Sequence, residues 1–524
     1  MSVPPRLSRI DPLVVALGPV AVALFAIWLG QSTSWDLRNY HWYNAYALLN
    51  GRMGFDMAVA HHATFYNPLI DLPLWWVAKI APGWLAAAFL GALQGLNFSV
   101  LYLLGRDVLQ FGERTRRVVA ALLALLGITG GYALTLTGSP HYDNVVSVLV
   151  LASLWLIVRQ RADMAAGGGT QALLLAGALI GLGVGLKFPT APFGLAVLAA
   201  AVASASRARG MLRALLLCGV AAFIAFALST GWWFYVLWRE TGNPVFPYFN
   251  DVIGSTLILD ASYRDTRFLP NSFVDALLFP FRASLDWRVS ADGPLTDWRI
   301  AVAYAIVPFA ALAMLLRRAA ATPFADPRAT RILFAFSTIG YVSWLAVFAI
   351  YRYLTPLEML APLLIVVAVG ALPLPRGVRA AGAVLALLTV LALTPLPDDP
   401  RPAFAARVVD VDVPPIARPD ATLALMTGVE PTAFAIPAFP PQIPFLRVDG
   451  YLVGPDADTP YLRTMRERID TQIAQGGDVF VLFVEFERER TDKAMRLLSL
   501  RRTDECVAVA NNLTEPLVWC RVVR

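Results

Sequence analysis

Long apolar runs dominate this chain and leave it few ways to fold. With loose ends they lie at 12–30, 84–105, 118–137, 142–158, 171–187, 189–206, 213–238, 299–316, 332–350, 356–374 and 379–396. A helical run of about 18 or more uncharged residues spans the hydrocarbon of a bilayer. Only a helix satisfies every backbone N–H and C=O inside such a run. The two runs flanking Lys187 are the shortest fits. The 524 residues are 57% hydrophobic and 15% charged, against about 25% charged in soluble domains. The expected fold is therefore an α-helical polytopic membrane protein with about 11 transmembrane helices. After the first run comes Gln31-Ser32-Thr33-Ser34-Trp35 rather than a small-residue cleavage site, so it reads as a retained helix and not a signal peptide.

Arginine positions give an orientation. Arg6 and Arg9; Arg106, Arg114, Arg116 and Arg117; Arg159 and Arg161; Arg207, Arg209 and Arg213; Arg317, Arg318, Arg328 and Arg331; and Arg376 and Arg379 all fall on one side of an eleven-span arrangement. The Lys/Arg excess marks the cytoplasmic side, which puts the N-terminus there and, after an odd number of spans, the C-terminus outside. The formal charge of +6 follows from that topology, and no nucleic-acid partner is needed to explain it.

Near residue 397 the composition changes. The Pro-rich, polar stretches "LPDDPRP" and "DVPPIARPD" separate a membrane part, 1–396, from an outer domain, 397–524. Within that domain "TLALMTG" and "DVFVLFVEF" read as strands, "TPYLRTMRERIDTQIAQGG" and "RTDKAMRLLSL" as helices, and two further strands come after them, a mixed α/β pattern. Cys506 and Cys520 bracket "CVAVANNLTEPLVWC", a hairpin with turn residues in its middle, and in an extracytoplasmic domain they are expected to pair. Cys218 lies in a span, and no cysteine spacing fits a metal site.

The spans carry almost no charge, Lys187 at a helix end being the main exception. Ionisable groups within a membrane usually mark ion or proton pathways, so their scarcity counts against a coupled transporter. Chemistry-bearing residues collect instead in the outer loops. In the first, "TSWDLRNYHWYNAYALLNG" suits an interfacial helix with Trp35, Trp42, Tyr46 and Leu49 near one face and Asp36, Tyr40, Tyr43 and Ala47 on another. Further along, Asn67 is placed to cap a short helix with Pro68 at its first position; that helix carries Asp71 and is too short to cross a bilayer. All four histidines, His41, His61, His62 and His141, lie in the first two outer loops. Asp143 comes two residues after His141, Lys187 lies in "GLKFPTAP", and "YRYLTPLE" sets Arg352 between Tyr351 and Tyr353, with Glu358 close behind.

Each of these residues has a purely structural reading. Asp36 could be a solvated interfacial acid, and His61-His62 a polar loop against headgroups. Arg352 and Lys187 could snorkel to the interface, and the aromatics form a belt there. Arg352 stands on the outer side against the prevailing arginine bias, which favours a specific anionic partner. Lys187 is one of only three lysines and is a compact point charge suited to phosphate. Five outer loops thus converge on one membrane face, as expected of a site working on a lipid-linked substrate.

An acid just after the first span, with "YHWYNAYALLNG" behind it, resembles the first outer loop of the GT-C class of membrane glycosyltransferases. "FYNPLIDLPLWW", "GLKFPTAPF", "GNPVFPYFN" and "YRYLTPLEML" are similar, in the same order, to segments of bacterial family 39-like and family 87-like members. The resemblance covers about 1–396. It implies a bacterial inner-membrane enzyme, with its C-terminal α/β domain periplasmic, that moves sugar with inversion from a polyprenyl-phosphate donor to an extracytoplasmic lipid, glycan or protein. The family's catalytic acid matches Asp36, with Asp71 the alternate.

The chemistry agrees. One carboxylate deprotonates the attacking hydroxyl as general base, and cations stabilise the departing lipid phosphate, roles that Asp36 and then Arg352 with Lys187 can fill. Tyr40, His41, His61, His62, Tyr66, Asn67, Asp71, His141, Asp143, Tyr351, Tyr353 and Glu358 are candidates for sugar or acceptor contacts. No cofactor is expected, and a divalent metal is not required. "GLGVGLK" is Gly-rich but sits within a span and lacks the Ser/Thr that ends a nucleotide loop, so its glycines are read as packing positions. The alternatives are a lipid or glycan transporter, which should line a polar path through the bilayer, and an O-antigen ligase or polymerase type of enzyme, which should carry more outer arginines.

Overall fold

The computed structural model describes residues 10–524; Arg6 and Arg9 lie outside the described residues. Each apolar run is helical: α1 (Asp11–Leu29), α4 (Gly83–Val108), α5 (Glu113–Ile128), α7 (Asp143–Arg159), α9 (Thr170–Leu186), α10 (Ala191–Ser204), α11 (Ala208–Phe226), α15 (Arg299–Leu315), α16 (Pro327–Val347), α17 (Thr355–Ala371) and α18 (Arg376–Leu393). Between these lie α2 (Trp42–Leu49), α3 (Leu72–Ile80), α6 (Gly131–Thr135), α8 (Arg161–Ala165), α12 (Trp232–Thr241), α13 (Asn250–Ile253) and α14 (Phe273–Leu285). Among the described residues six helices are long and apolar enough to cross a membrane, and three shorter apolar helices accompany them. The chain is a multi-pass membrane protein. The run 118–137 is not one helix: it breaks at Thr129-Gly130 into α5 and α6.

Helix α17 is apolar nearly all round, and every one of its residues is buried, as expected of the central helix of a bundle. Where lipid is as apolar as a neighbouring helix, close contact between small residues decides which faces pair. Gly177, Gly181 and Gly185 form such a ridge on α9. A Cβ added at these positions would overlap the Cys218 carbonyl oxygen, the Ala222 carbonyl oxygen and Ser229 Oγ respectively. Gly181 and Gly185 of "GLGVGLK" are packing glycines, whereas a Cβ at Gly183 would meet only ordinary contacts.

The arginine-bearing loops meet at one end of the bundle. Arg161 donates to Asp326 at 2.9 Å, Arg331 to the Ala205 carbonyl at 3.2 Å and Arg379 to the Thr322 carbonyl at 3.0 Å. The sequence predicts spans nearly free of charge; Arg299, the first residue of α15, and Glu358, in the first turn of α17, are both buried. They are tied off structurally. Arg299 pairs with Asp297 at 2.6 Å, Asp297 accepts from the Gly131 amide at 2.9 Å, and Glu358 accepts from the Ala133 amide at 3.1 Å.

At the opposite end sits a six-stranded mixed sheet, β1 (Val411–Asp412), β2 (Thr422–Met426), β3 (Phe445–Arg447), β4 (Asp478–Val484), β5 (Arg501–Asn511) and β6 (Leu517–Val523), in the order β1-β5-β6-β4-β2-β3. Helices α19 (Pro460–Ala474) and α20 (Arg488–Leu497) fall where the sequence places them. Strand β2, parallel to both neighbours, is buried throughout, which explains its unbroken apolar reading. The short edge strands β1 and β3 carry no sequence pattern of their own. Cys506 and Cys520 stand opposite each other in the β5–β6 ladder and form a disulfide.

This sheet and the first outer loop share their cores. Leu37, Trp42, Tyr46 and Trp75 pack in one cluster with Phe434, Phe445 and Trp519. Met57 lies along the β3 edge, its amide donating to the Phe445 carbonyl at 2.9 Å and its carbonyl accepting from the Arg447 amide at 3.0 Å. The sequence predicts an interfacial first loop resting on the membrane surface, but Trp42 and Tyr46 are buried beneath the C-terminal domain.

Candidate functional site

Between the bundle and the C-terminal domain lies a cavity of about 300 Å³. Its walls bring together the first loop, the end of α9, α12, the loop after α12, the turn before α17 and Tyr451 of the C-terminal domain. Its lining combines apolar side chains, among them Val184, Leu186, Trp233 and Leu237, with the polar Asp36, Asn39, Tyr40, His41, Lys187 and Arg352.

A π-turn at Leu37–His41 leads into α2. Its i→i+5 bonding admits an extra residue and rotates the next turn of helix, a feature common at functional sites. Asp36, Asn39, Tyr40 and His41 therefore all reach the cavity. Tyr43, expected on the face of Asp36 by ordinary helical spacing, points away and donates to Asp56 at 2.9 Å. Asn39 and Asn44 hold the segment around Ala60 against the helix by donating to the Ala60 and Ala63 carbonyls at 3.2 and 2.8 Å. His61, Tyr142 and Ala349 adopt left-handed φ of 54°, 61° and 52°. Such conformations are uncommon without glycine and persist where surrounding structure enforces them; each lies in a segment that builds the site.

Asp36 is the centre of the polar lining. The Tyr40 hydroxyl and Arg352 Nη1 each donate to its Oδ2 at 3.0 Å. Burial works to raise the proton affinity of Asp36, but the Arg352 guanidinium, followed by His141, His41 and Lys187, holds the carboxyl well below its usual range. Lys187 stands close by, donating to Asp143 Oδ2 at 2.8 Å and to the His141 carbonyl. His41 Nδ1 and Asp71 Oδ1 are 2.6 Å apart, both side chains buried, and His41 Nε2 has no hydrogen-bond partner. Burial raises the Asp71 carboxyl well above its ordinary value and lowers His41. Asp71 also lines the cavity, and its Oδ1 fixes the His41 ring through Nδ1.

The remaining predicted residues divide. Tyr353 lines the cavity beside Arg352, and the Tyr66 hydroxyl meets that of Tyr248 at 2.5 Å, joining the first and fourth outer loops. Asn67 caps its helix as expected, accepting from the Leu69 amide at 3.1 Å, and its amide group donates to the Gly185 and Ser229 carbonyls at 3.0 Å. His61 and His62 reach the cavity wall, yet His61 Nδ1 accepts from the Tyr451 amide at 3.2 Å, so it also fastens the loop to the C-terminal domain. His141 and Asp143 stand behind Lys187 rather than in the wall. Tyr351 is buried away from the cavity, stacked on Tyr132 with ring centroids 5.6 Å apart. Glu358 belongs to the buried knot with Asp297 and Arg299, because its helix turns it toward α6. A Cβ at Gly130 would overlap the Glu358 carboxylate. Neither Tyr351 nor Glu358 is placed to touch a ligand there.

Tyr248, Arg264, Asp265 and Tyr451 also line the cavity, although no sequence pattern marks them as site residues. The first three come from "GNPVFPYFND" and "SYRDTRF", segments visible as aromatic and charged but with no spacing that aims them. Tyr451 has no signal at all, since only docking of the C-terminal domain brings it in. Among the described residues, no three His, Cys, Asp or Glu side chains form a group that could hold a metal ion.

No protein-family model matches this sequence, and no curated protein matches it either. Among solved structures it is similar to the crystal structure of ArnT from Cupriavidus metallidurans bound to undecaprenyl phosphate. The two are 14% identical, the match covers 98% of each chain, and the TM-score is 0.49.

Proposed function

We propose that this protein is an inverting membrane glycosyltransferase of the GT-C type, transferring sugar from a polyprenyl-phosphate donor to a hydroxyl outside the cytoplasm. One observation supports this above the others. A carboxylate, Asp36, and two cations, Arg352 and Lys187, line a single cavity together with apolar side chains of α9 and α12. The apolar lining suits the first isoprene units of a lipid, and the cations suit its phosphate. Asp36 accepts the proton of the acceptor hydroxyl as that oxygen attacks the anomeric carbon. The bond from that carbon to the phosphate oxygen breaks, and its electron pair leaves with the lipid phosphate beside Arg352 and Lys187. Tyr40, His41, Tyr66 and Tyr353 offer hydrogen bonds to sugar or acceptor hydroxyls. The cytoplasmic N-terminus, periplasmic C-terminal domain and inner-membrane location are parts of the same reading, supported by the arginine bias.

The test is transfer or hydrolysis by purified protein, wild type and Asp36→Asn, with a panel of radiolabelled polyprenyl-phosphate sugars. The expected result is turnover of one donor, reduced at least about 100-fold in a folded Asp36→Asn protein. Equal turnover by both would remove Asp36 as base and point to His41 with Asp71. Lipid movement without sugar transfer would favour a transporter.

A further inference from the structure

Of the three cations lining the cavity, Arg264 donates to the Val347 carbonyl at 2.9 Å, whereas Arg352 and Lys187 are already engaged by carboxylates. Arg352 holds Asp36 at 3.0 Å and touches the Tyr353 hydroxyl at 3.3 Å, while its Nε is buried and without a partner. Lys187 holds Asp143 at 2.8 Å. Arg352 and Lys187 are thus each paired with a carboxylate. The Tyr40 hydroxyl adds a second donor to the same Asp36 oxygen that Arg352 binds. A carboxylate held in this way is a weak base, whereas the reaction proposed above needs it to take a proton.

A phosphate offers a guanidinium two acceptor oxygens in matching geometry, more than the single Asp36 oxygen that Arg352 now bonds. Its arrival at Arg352 would remove a charge-assisted bond from Asp36 and place a new anion beside it. Both changes favour protonation of the carboxylate. We propose that Arg352 is shared between Asp36 and the donor phosphate, so that donor binding frees Asp36 to act as the base and the donor must bind before the acceptor is deprotonated. This rests on the glycosyl-transfer reading and adds an order of events to it. The acceptor O–H bond then breaks toward Asp36, the new bond forms to the anomeric carbon, and the old one breaks with its electrons left on phosphate. When the lipid phosphate departs, Arg352 returns and expels the proton from Asp36 to water. The other titratable groups that act on Asp36 are His141, His41, Lys187, Tyr40, Tyr66, Tyr353 and Asp71.

Coupling of this kind is reciprocal. If phosphate strengthens Asp36 as a base, the ionised Asp36 must weaken phosphate binding. Neutralising the catalytic carboxylate should therefore tighten donor-phosphate binding while turnover is lost. The experiment measures undecaprenyl phosphate binding at pH 7 to the full chain in nanodiscs, for wild type, Asp36→Asn, Arg352→Gln and the double variant. Undecaprenol, which lacks the phosphate, is the control, and melting temperatures verify folding. Asp36→Ala stands in should Asp36→Asn fail to fold. Asp36→Asn is expected to bind at least about fivefold more tightly than wild type and Arg352→Gln more weakly. The gain from Asp36→Asn should be smaller when Arg352 is absent. Equal or weaker binding by Asp36→Asn, or the same gain in both backgrounds, would overturn the sharing of Arg352 and leave the donor reading standing. Absence of any preference for undecaprenyl phosphate over undecaprenol would remove the donor reading and this inference together.

Discussion

At the scale of single residues, burial sets the charge state of the histidines around the site. His62 and His141 are both lowered to about 4, burial being the first cause in each. A histidine lowered on folding takes up its proton more readily in the unfolded chain, so its contribution to stability is present above about 6.5 and lost as pH falls toward 4. His62→Gln should therefore flatten the fall in melting temperature between pH 7 and pH 4.5. An unchanged slope would show that His62 is not held neutral. Asp36, Lys187 and Arg352 are legible as candidates because each is an unusual residue type for its place along the chain. The face they share with His41 is not, because the π-turn at Leu37–His41 adds a residue that ordinary helical spacing does not count.

At the scale of elements, the helix pair α9–α11 shows what holds the bundle in register. A side chain at Gly181 would need space already taken by the Ala222 carbonyl, whereas one at Gly219 meets only a Leu198 methyl at 3.8 Å. Gly181→Leu should cost about 3 kcal/mol by overpacking, and Gly219→Leu should be nearly neutral. Melting temperatures of the two variants in the same detergent test this, and equal shifts would contradict it. Because α9 ends next to Lys187, the Gly181 variant should also weaken undecaprenyl phosphate binding. Helix existence is readable from the apolar runs and the close-packing role from the glycine spacing. The break between α5 and α6 is not, since Glu358 and Asp297 stabilise the start of α6 from segments distant in sequence.

At the scale of the whole molecule, the C-terminal domain completes the site rather than accompanying it. Arg447, fully buried, donates to the Val59 carbonyl at 2.8 Å, the Gly428 carbonyl at 2.8 Å and Thr432 Oγ1 at 2.7 Å. It ties β3 to the segment that carries His61 and His62. Arg447→Met would strand three buried acceptors, each costing about 1–3 kcal/mol. The expected outcome is lower thermal stability together with loss of turnover, although no atom of Arg447 lines the cavity. A protein destabilised but fully active at low temperature would show that this docking does not shape the site.

Hydropathy determined that this is a helical membrane chain, because a bilayer admits few solutions to a long uncharged run and each run declares itself locally, and local patterning marked an α/β segment after about residue 397. The cysteine pair and the Asn67 cap were equally local. Which acids face the cavity was decided only in three dimensions. Asp36, Asp71 and Asp265 line it, Asp143 backs Lys187 and Glu358 is spent on α6; Asp71 gives its oxygen to His41, while Asp36 meets Arg352, 316 residues away in the chain. A carboxylate looks the same in sequence whether it is a base, an orienting partner or part of a structural knot. Its role comes from the charges and dipoles that folding brings within about 3–4 Å of it.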